Sequence, residues 1–381
     1  MTDQKKLNKD WLIRRTGDPF ADVGGLVIKT LMRQRNTDDI IQLIKEVTIL
    51  YVNDWNAKLN AFFLNSKITQ PAFKGNKKIT ETLKYFNNLI NDELPFEQGY
   101  CRILGEKTKL FIGGRDNHIL SGSGKFVNFH HAFQEGIMLS KEAVIRMFFV
   151  PLGSIQLTDK IALLHSNNED LSEFFIAENV NENLRLVASK IAKGPLPTNF
   201  KKPSSALFDF ALRWIREAKK NSSDYTELNL YHFTNFGASP EIVLYNFSAA
   251  LFTFYRLIQY RTMKYDWDKF THSYFHYKKA KYLFETDTFE LTEKKVITAL
   301  KYDDFKTWRN TIYEKLLNGR SILNNILNWV RDQDHSLNFN IVKLYQINLR
   351  NMDEKTLQII ERIADYVLQD SSNIKKNVRN L

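Results

Sequence analysis

The chain has 381 residues, enough for a large core and for about two domains at roughly 100 to 200 residues each. A composition of 43% hydrophobic and 25% charged residues is that of an ordinary soluble globular protein rather than a disordered chain, and a lone Cys101 excludes an internal disulfide framework and a cysteine-rich zinc site. The net charge of +11 favours a polyanionic partner, because neutralising phosphates and releasing counterions supplies much of nucleic-acid affinity, although a merely basic protein has the same balance.

The start, "MTDQKKLNKDWLIRR", lacks the apolar core of a signal peptide, and no apolar run reaches about 18 residues, so the sequence reads as cytoplasmic with no membrane partner. Asp18 followed by Pro19 reads as an N-cap and a first helical position. Inside the first two turns of that helix stand Gly24 and Gly25, each about 1 kcal/mol worse than alanine in a helix interior. Two offsets are open: another backbone packs there at close range, or a ligand or nucleic-acid strand approaches where a Cβ would collide.

Ile40, Ile44, Val47, Tyr51, Trp55, Leu59 and Phe62 then recur at helical spacing and predict one long amphipathic helix. Ile79, Leu83, Phe86 and Ile90 predict a shorter one. After Leu94-Pro95 the pattern changes to two short runs around "GEKT", a β-hairpin, followed by a projecting loop rich in Gly, Ser and Asn. Ser140 caps a helix that should stop before Pro151, and short strands follow at "SIQL" and "KIALLH". A helix from about Glu169 to Ala192 runs into "KGPLPTNFKKPSS", the best internal linker by composition. A helix at "ALFDFALRWIREAKK" and a strand at "LNLYHFTNF" precede Ser239-Pro240, read as another helix start. From there "EIVLYNFSAALFTFYRLIQYRTM", "VITALKYDDFKTWRNTIYEKLL" and "KTLQIIERIADYVLQ" read as helical. The expected fold is therefore α+β over residues 1–238, followed by a C-terminal helical bundle over 239–381.

Catalytic signatures are sparse. "SGSGKF" lacks the first glycine and the final Ser or Thr of a phosphate loop, with Ile119 and Phe126 in those places. His272 and His276 have the i, i+4 spacing of a metal pair but no accompanying Glu, and adjacent His130 and His131 would face apart. Asp332 and Asp334, the pair Asp266 and Asp268, and Asp303-Asp304 resemble metal-nuclease acids, yet short acidic groups are common on solvated caps. No nucleophile context stands out. A metal-dependent nuclease and a plain scaffold subunit remain as alternatives to a binding protein.

Thr16, Gly17, Asp18, Pro19, Phe20, Asp22 and Gly24 form T-G-D-P-F-x-D-x-G, which resembles the N-terminal signature of the large subunit of type I-B CRISPR effector complexes, in the branch with a CXXC...CXXC region. "FVNFHHAFQEGIMLSKEAVIRMFFVPLG", with Phe126, Phe129, Gly136, Ser140, Ala143, Pro151 and Gly153, is similar to the segment after that region. "CRILG" departs from the family: Cys101 and Gly105 of a C-x-x-C-G knuckle stay, but Leu104 takes the second thiolate position, so no tetrahedral thiolate zinc site forms and apolar packing should replace the metal. The motif resemblance spans roughly residues 15 to 153.

The resemblance implies a non-enzymatic subunit without cofactor or metal. It would sit near the 5′ handle of a guide RNA, recognise the motif flanking a double-stranded DNA target and help open the duplex, beside handle-binding and backbone subunits of Cascade. A helicase-nuclease or a transposition adaptor would act downstream, and a separate small subunit could start internally at Met263. On this reading the loop over residues 113–125 reads the duplex, with Arg115 and Lys125 on phosphate and Asn117, Ser121 and Ser123 at base edges; an ordinary hairpin loop is the plain alternative. Arg14, Arg15, Thr16, Gly17, Gly24 and Gly25 would face RNA or a neighbouring subunit. Residues 255–284 interleave Arg261, Lys264, Lys278, Lys279 and Lys281 with aromatic rings, suited either to tracking a strand or to a core with a solvated face.

Overall fold

The computed structural model describes residues 7–120, 136–218, 225–235, 241–276, 280–283, 288–291, 296–298, 306–331 and 335–379. The fold class is α+β. The chain divides into two compact units, 1–207 with 228–246, and 208–227 with 247–381, so it passes between them three times instead of once near residue 238.

In the first unit, Asn8 caps the short helix α1 (Lys9–Ile13), and Asp18 caps α2 (Pro19–Arg35) by accepting from Ala21 N at 2.7 Å. Helix α3 (Ile40–Ile49) ends far earlier than its apolar spacing predicts. It passes through a π turn, Leu50–Asp54, and then breaks where Asn56 and Ala57 take left-handed backbone angles. This turn still buries Trp55, Leu59 and Phe62, which is why their spacing imitates a continuing helix. Helix α4 (Asn76–Ile90) follows as predicted.

The hairpin is present as strands β1 (Glu97–Tyr100) and β2 (Lys107–Gly113), antiparallel with Tyr100 opposite Lys107, and β3 (Ile137–Leu139) adds to its far side. Ser140 caps α5 (Lys141–Gly153). That helix includes Pro151 instead of stopping before it, since a proline in the last turn sacrifices only one backbone bond there, and the Ser154 hydroxyl donates to Val150 O at 2.9 Å.

A five-stranded sheet completes the unit: β4 (Ile155–Leu157), β5 (Lys160–Ser166), β6 (Leu196–Pro197), β7 (Leu228–Thr234) and β8 (Glu241–Phe247), in the order β6-β4-β5-β7-β8. Helix α6 (Glu169–Ala188) connects β5 to β6. The Pro- and Lys-rich stretch read as a linker therefore contributes a strand, pairing parallel with β4. The run "EIVLYNF", read as helical, is strand β8, its β-branched and aromatic residues suiting a pleated surface.

Helix α7 (Pro203–Glu217) enters the second unit at Phe208, whose ring stacks on Tyr313 at 3.9 Å and meets Phe247 edge-on. That unit is mixed, not a pure helical bundle. Between α8 (Ala249–Leu257), α9 (Arg261–His272) and the later helices α10 (Thr311–Leu317), α11 (Leu323–Arg331), α12 (Phe339–Arg350) and α13 (Glu354–Arg379) lie, among the described residues, five short strands. Strands β10 (Ala280–Leu283), β11 (Thr288–Leu291) and β12 (Val296–Thr298) form an antiparallel sheet, and β9 (Phe275–His276) pairs with β13 (Arg309–Asn310). "VIT" thus opens a strand where a helix was expected, again through β-branched residues. Among the described residues no helix is long and apolar enough to cross a membrane.

Candidate nucleic-acid interface

The opening motif folds around one buried carboxylate. Asp22 Oδ1 accepts from the backbone N–H and the hydroxyl of Thr16, both at 2.7 Å, and Oδ2 accepts from Gly17 N at 3.0 Å. His165 Nε2 lies 3.2 Å from Oδ2, and the fully buried Arg146 approaches Oδ1 at 3.2 Å. Arg146 also donates to Ala21 O at 2.7 Å and Trp11 O at 3.2 Å. Burial pushes the Asp22 carboxyl up, but the bonds from His165, Thr16 and Gly17 outweigh it and hold the group below the usual carboxylate value. Asp18 moves the other way: burial raises it more than its cap bond to Ala21 lowers it.

This network answers the question of the glycines. A Cβ at Gly24 would lie 2.7 Å from the carbonyl carbon of Arg146 and closer still to its oxygen, and one at Gly25 would lie 2.8 Å from Arg146 Nη2. Helix α5 therefore packs backbone to backbone against α2, which is the first of the two offsets. At the other end of α5, a Cβ on Gly153 would meet Val23 and Val27 at 2.8 Å. The two stretches that carry the family resemblance, 124 residues apart at Asp22 and Arg146, thus pack on each other.

Arg14 and Arg15, expected to face RNA or a neighbouring subunit, have partners within the chain. Arg14 donates to Leu104 O at 3.1 Å and Glu106 Oε1 at 2.8 Å, and Arg15 donates to Asn167 O at 2.7 Å and Ser166 O at 2.8 Å. A guanidinium held by fixed backbone carbonyls braces a turn, so these residues and Thr16, Gly17, Gly24 and Gly25 have structural work inside the first unit.

Of the loop residues, Arg115 and Asn117 stand together in the turn after β2, whereas Ser121, Ser123 and Lys125 lie outside the described residues. Asn117 does not present its amide to a base edge. Its Oδ1 accepts from Gly114 N at 2.8 Å, and its Nδ2 donates to Ile112 O at 3.0 Å and Tyr85 Oη at 2.9 Å. The Arg115 carbonyl accepts from Leu64 N at 2.6 Å, tying this turn to the segment after α3. In the second unit Lys281 is exposed on β10 opposite Glu290, and Lys278 and Lys279 lie outside the described residues. Trp267 and Phe270 are core, Lys264 pairs with Asp268, and Tyr260 and Tyr265 stay exposed, so the described part of the 255–284 stretch has both core rings and solvated ones.

The hairpin tip is a tight turn in which Cys101 N donates to Glu106 O at 2.9 Å. The buried Cys101 sulfur accepts from Ser140 N at 3.2 Å and Leu104 N at 3.5 Å, and Leu104 is itself buried. Arg102 N donates to Met138 O at 3.1 Å and locks the tip to β3. The outer face of the hairpin carries the exposed groups that sequence reasoning missed. Tyr100 is 66% exposed and lines a groove of about 250 Å³ with the exposed Arg102 and Glu97, and Lys107 stands opposite Tyr100 on the neighbouring strand. Nearby, Lys109 Nζ lies 4.6 Å from the centre of the half-exposed Phe96 ring and also pairs with Asp92 at 2.9 Å. An exposed ring flanked by cations can stack a base and meet its phosphates. No local pattern in "EQGY" or "KTKL" signals this face; only the strand register sets Tyr100 and Lys107 side by side.

The suggested metal acids are placed otherwise. Asp266 accepts from the backbone N–H of Asn338, the N-cap residue of α12, at 2.8 Å, and His272 and His276 belong to α9 and β9. Asp303, Asp304, Asp332, Asp334, His130 and His131 lie outside the described residues. Among the described residues no three His, Cys, Asp or Glu side chains converge as a metal site.

Comparison of the chain with models of protein families, with curated proteins and with solved structures finds no match.

Proposed function

We propose that the chain is the non-catalytic large subunit of a type I-B CRISPR RNA-guided surveillance complex, which recognises the target-flanking motif and assists duplex opening. The observation that carries this reading is the face of Tyr100, Arg102 and Lys107 on the hairpin, at the sequence position where the resembled family has its first C-x-x-C pair. The packing of the two resembling stretches against each other lends it further support. Its partners are then a guide RNA, a double-stranded DNA target and the handle-binding and backbone subunits, in the cytoplasm, with a helicase-nuclease or transposition adaptor downstream. Sequence is read chiefly by guide pairing, so the protein needs phosphate contacts and a small stacking element and no catalytic group.

The test is to incubate the full chain with labelled single-stranded and duplex DNA in magnesium and in manganese, following binding and cleavage together. Binding that weakens with salt, with intact DNA and a loss of about 5-fold or more on Tyr100→Ala, fits the account, as removal of one base-stacking ring costs roughly 1–3 kcal/mol. Metal-dependent cleavage would overturn it in favour of a nuclease.

A further inference from the structure

The first unit holds a cavity of about 270 Å³ that the hairpin face does not use. Its inner wall is apolar and mostly aromatic: Phe63, Phe86, Phe148, Ile68 and Val144, with Phe86 and Phe148 ring centres 4.7 Å apart. The volume falls just below the roughly 300–1,000 Å³ of drug-sized sites, which suits a single ring system.

The polar groups are few and placed together. Thr82 on α4 lines the cavity, is 3% exposed, and its hydroxyl oxygen has no hydrogen-bond partner. A helical threonine commonly satisfies its hydroxyl on the carbonyl one turn back, as Thr30 does with Leu26 O at 2.8 Å, whereas the Thr82 hydroxyl is left able to bond a ligand atom. The Tyr85 hydroxyl accepts from Asn117 and keeps its own proton to donate, and burial holds it protonated far above neutral pH. Asp116 stands at the exposed mouth, where crowding by the wall pushes its carboxyl up and Lys67 pulls it back. By contrast Ser66 is satisfied by Thr69, at 2.8 Å between their hydroxyls.

We infer that this cavity is a binding site for a nucleobase, held edge-on by the Thr82 and Tyr85 hydroxyls and Asp116, with Lys67 placed to meet the attached phosphate. A flat ring fills an aromatic wall, and its edge supplies both donors and acceptors to this mixed set. An alkyl chain would fill the apolar wall but leave the buried Thr82 hydroxyl without a partner. The same base chemistry can arrive free, as a nucleoside or nucleotide, or on a strand whose base has left its stack. The second source rests on the nucleic-acid reading proposed above, and it gains from position: Asp116 and Asn117 belong to the turn that opens the loop over 113–125.

The experiment uses the full chain, free nucleosides followed by calorimetry, and 2-aminopurine oligonucleotides followed by fluorescence, each with Thr82→Val and Asp116→Asn. Thr82→Val keeps the shape and removes an unsatisfied hydroxyl, so it should fold at least as stably, which thermal unfolding checks. Expected is a 2-aminopurine signal on binding and a loss of about 5-fold to 10-fold in both variants, as for one hydrogen bond. Free nucleosides bound with the same sensitivity, but no response from any oligonucleotide, would keep the base site and remove its nucleic-acid source. Oligonucleotides bound with a silent probe and unchanged variants would overturn the base site and leave the nucleic-acid reading standing. No binding of either probe would overturn both.

Discussion

Replacing Gly24 with alanine sets two effects of opposite sign against each other. In an isolated helix the change adds about 1 kcal/mol of stability through backbone propensity. In this protein the new methyl would lie inside contact distance of the Arg146 carbonyl, with its carbon at 2.7 Å and its Cα at 3.2 Å. All three atoms are backbone of α5, and Arg146 is fixed by Ala21 O, Trp11 O and Asp22, so no side chain can swing clear. The helices must separate by an ångström or more, which disturbs the packing of Val23, Val27 and Gly153 along the same crossing. Overpacking of this kind costs about 1–3 kcal/mol and more when backbone must move, so a net loss of about 2–4 kcal/mol is expected. At about 2–4 °C per kcal/mol for a unit of this size, the midpoint should fall by roughly 5–15 °C in far-ultraviolet circular dichroism. Gly25→Ala meets only the guanidinium end of Arg146 and should lose less. A Gly24→Ala protein with an unchanged or higher midpoint would refute the argument.

Asp22→Asn leaves the Arg146 guanidinium buried without its countercharge and should cost about 3–5 kcal/mol in urea unfolding. Because the folded Asp22 titrates below its ordinary value, its contribution is complete above the unfolded carboxylate value near 3.8 and is lost as pH falls through the lower folded value; the variant should lack that part of the acid transition. Asp18 has the opposite sign, its raised folded value costing stability once it ionises, so Asp18→Asn, which keeps a capping oxygen, should hold or gain stability at pH 7 in the same assay. On the hairpin, Arg102→Ala and Lys107→Ala should each lower the slope of log affinity against log salt by about 1 for every phosphate lost, measured by fluorescence anisotropy. Unchanged slopes would remove both from the interface.

Local signals proved reliable where one residue settles its own neighbourhood. Asp18-Pro19 and Ser140 start helices because a side-chain acceptor satisfies an N–H two or three positions on, and the turn through Gly105 closes a hairpin whatever surrounds it. Helical spacing misled where buried residues follow a compact irregular path, as from Trp55 to Phe62, and where a short apolar run serves a strand, as in "EIVLYNF". The site was less legible for a different reason. Asp22, Arg146 and His165 meet from α2, α5 and β5, and no local pattern announces that a glycine pair faces an arginine 121 residues or more away. Tyr100 and Lys107 likewise become neighbours only through register, and the unpartnered Thr82 hydroxyl is a property of packing alone.

On the proposed function, this chain works on a guide RNA as part of a larger particle. The most direct measurement is to isolate the tagged chain from its native host, sequence the bound RNA and identify the bound proteins by mass spectrometry. The account predicts short RNAs that share one repeat-derived 5′ end, recovered with repeat-binding subunits. Isolation of the chain alone, or with nucleic acid of random sequence, would contradict it.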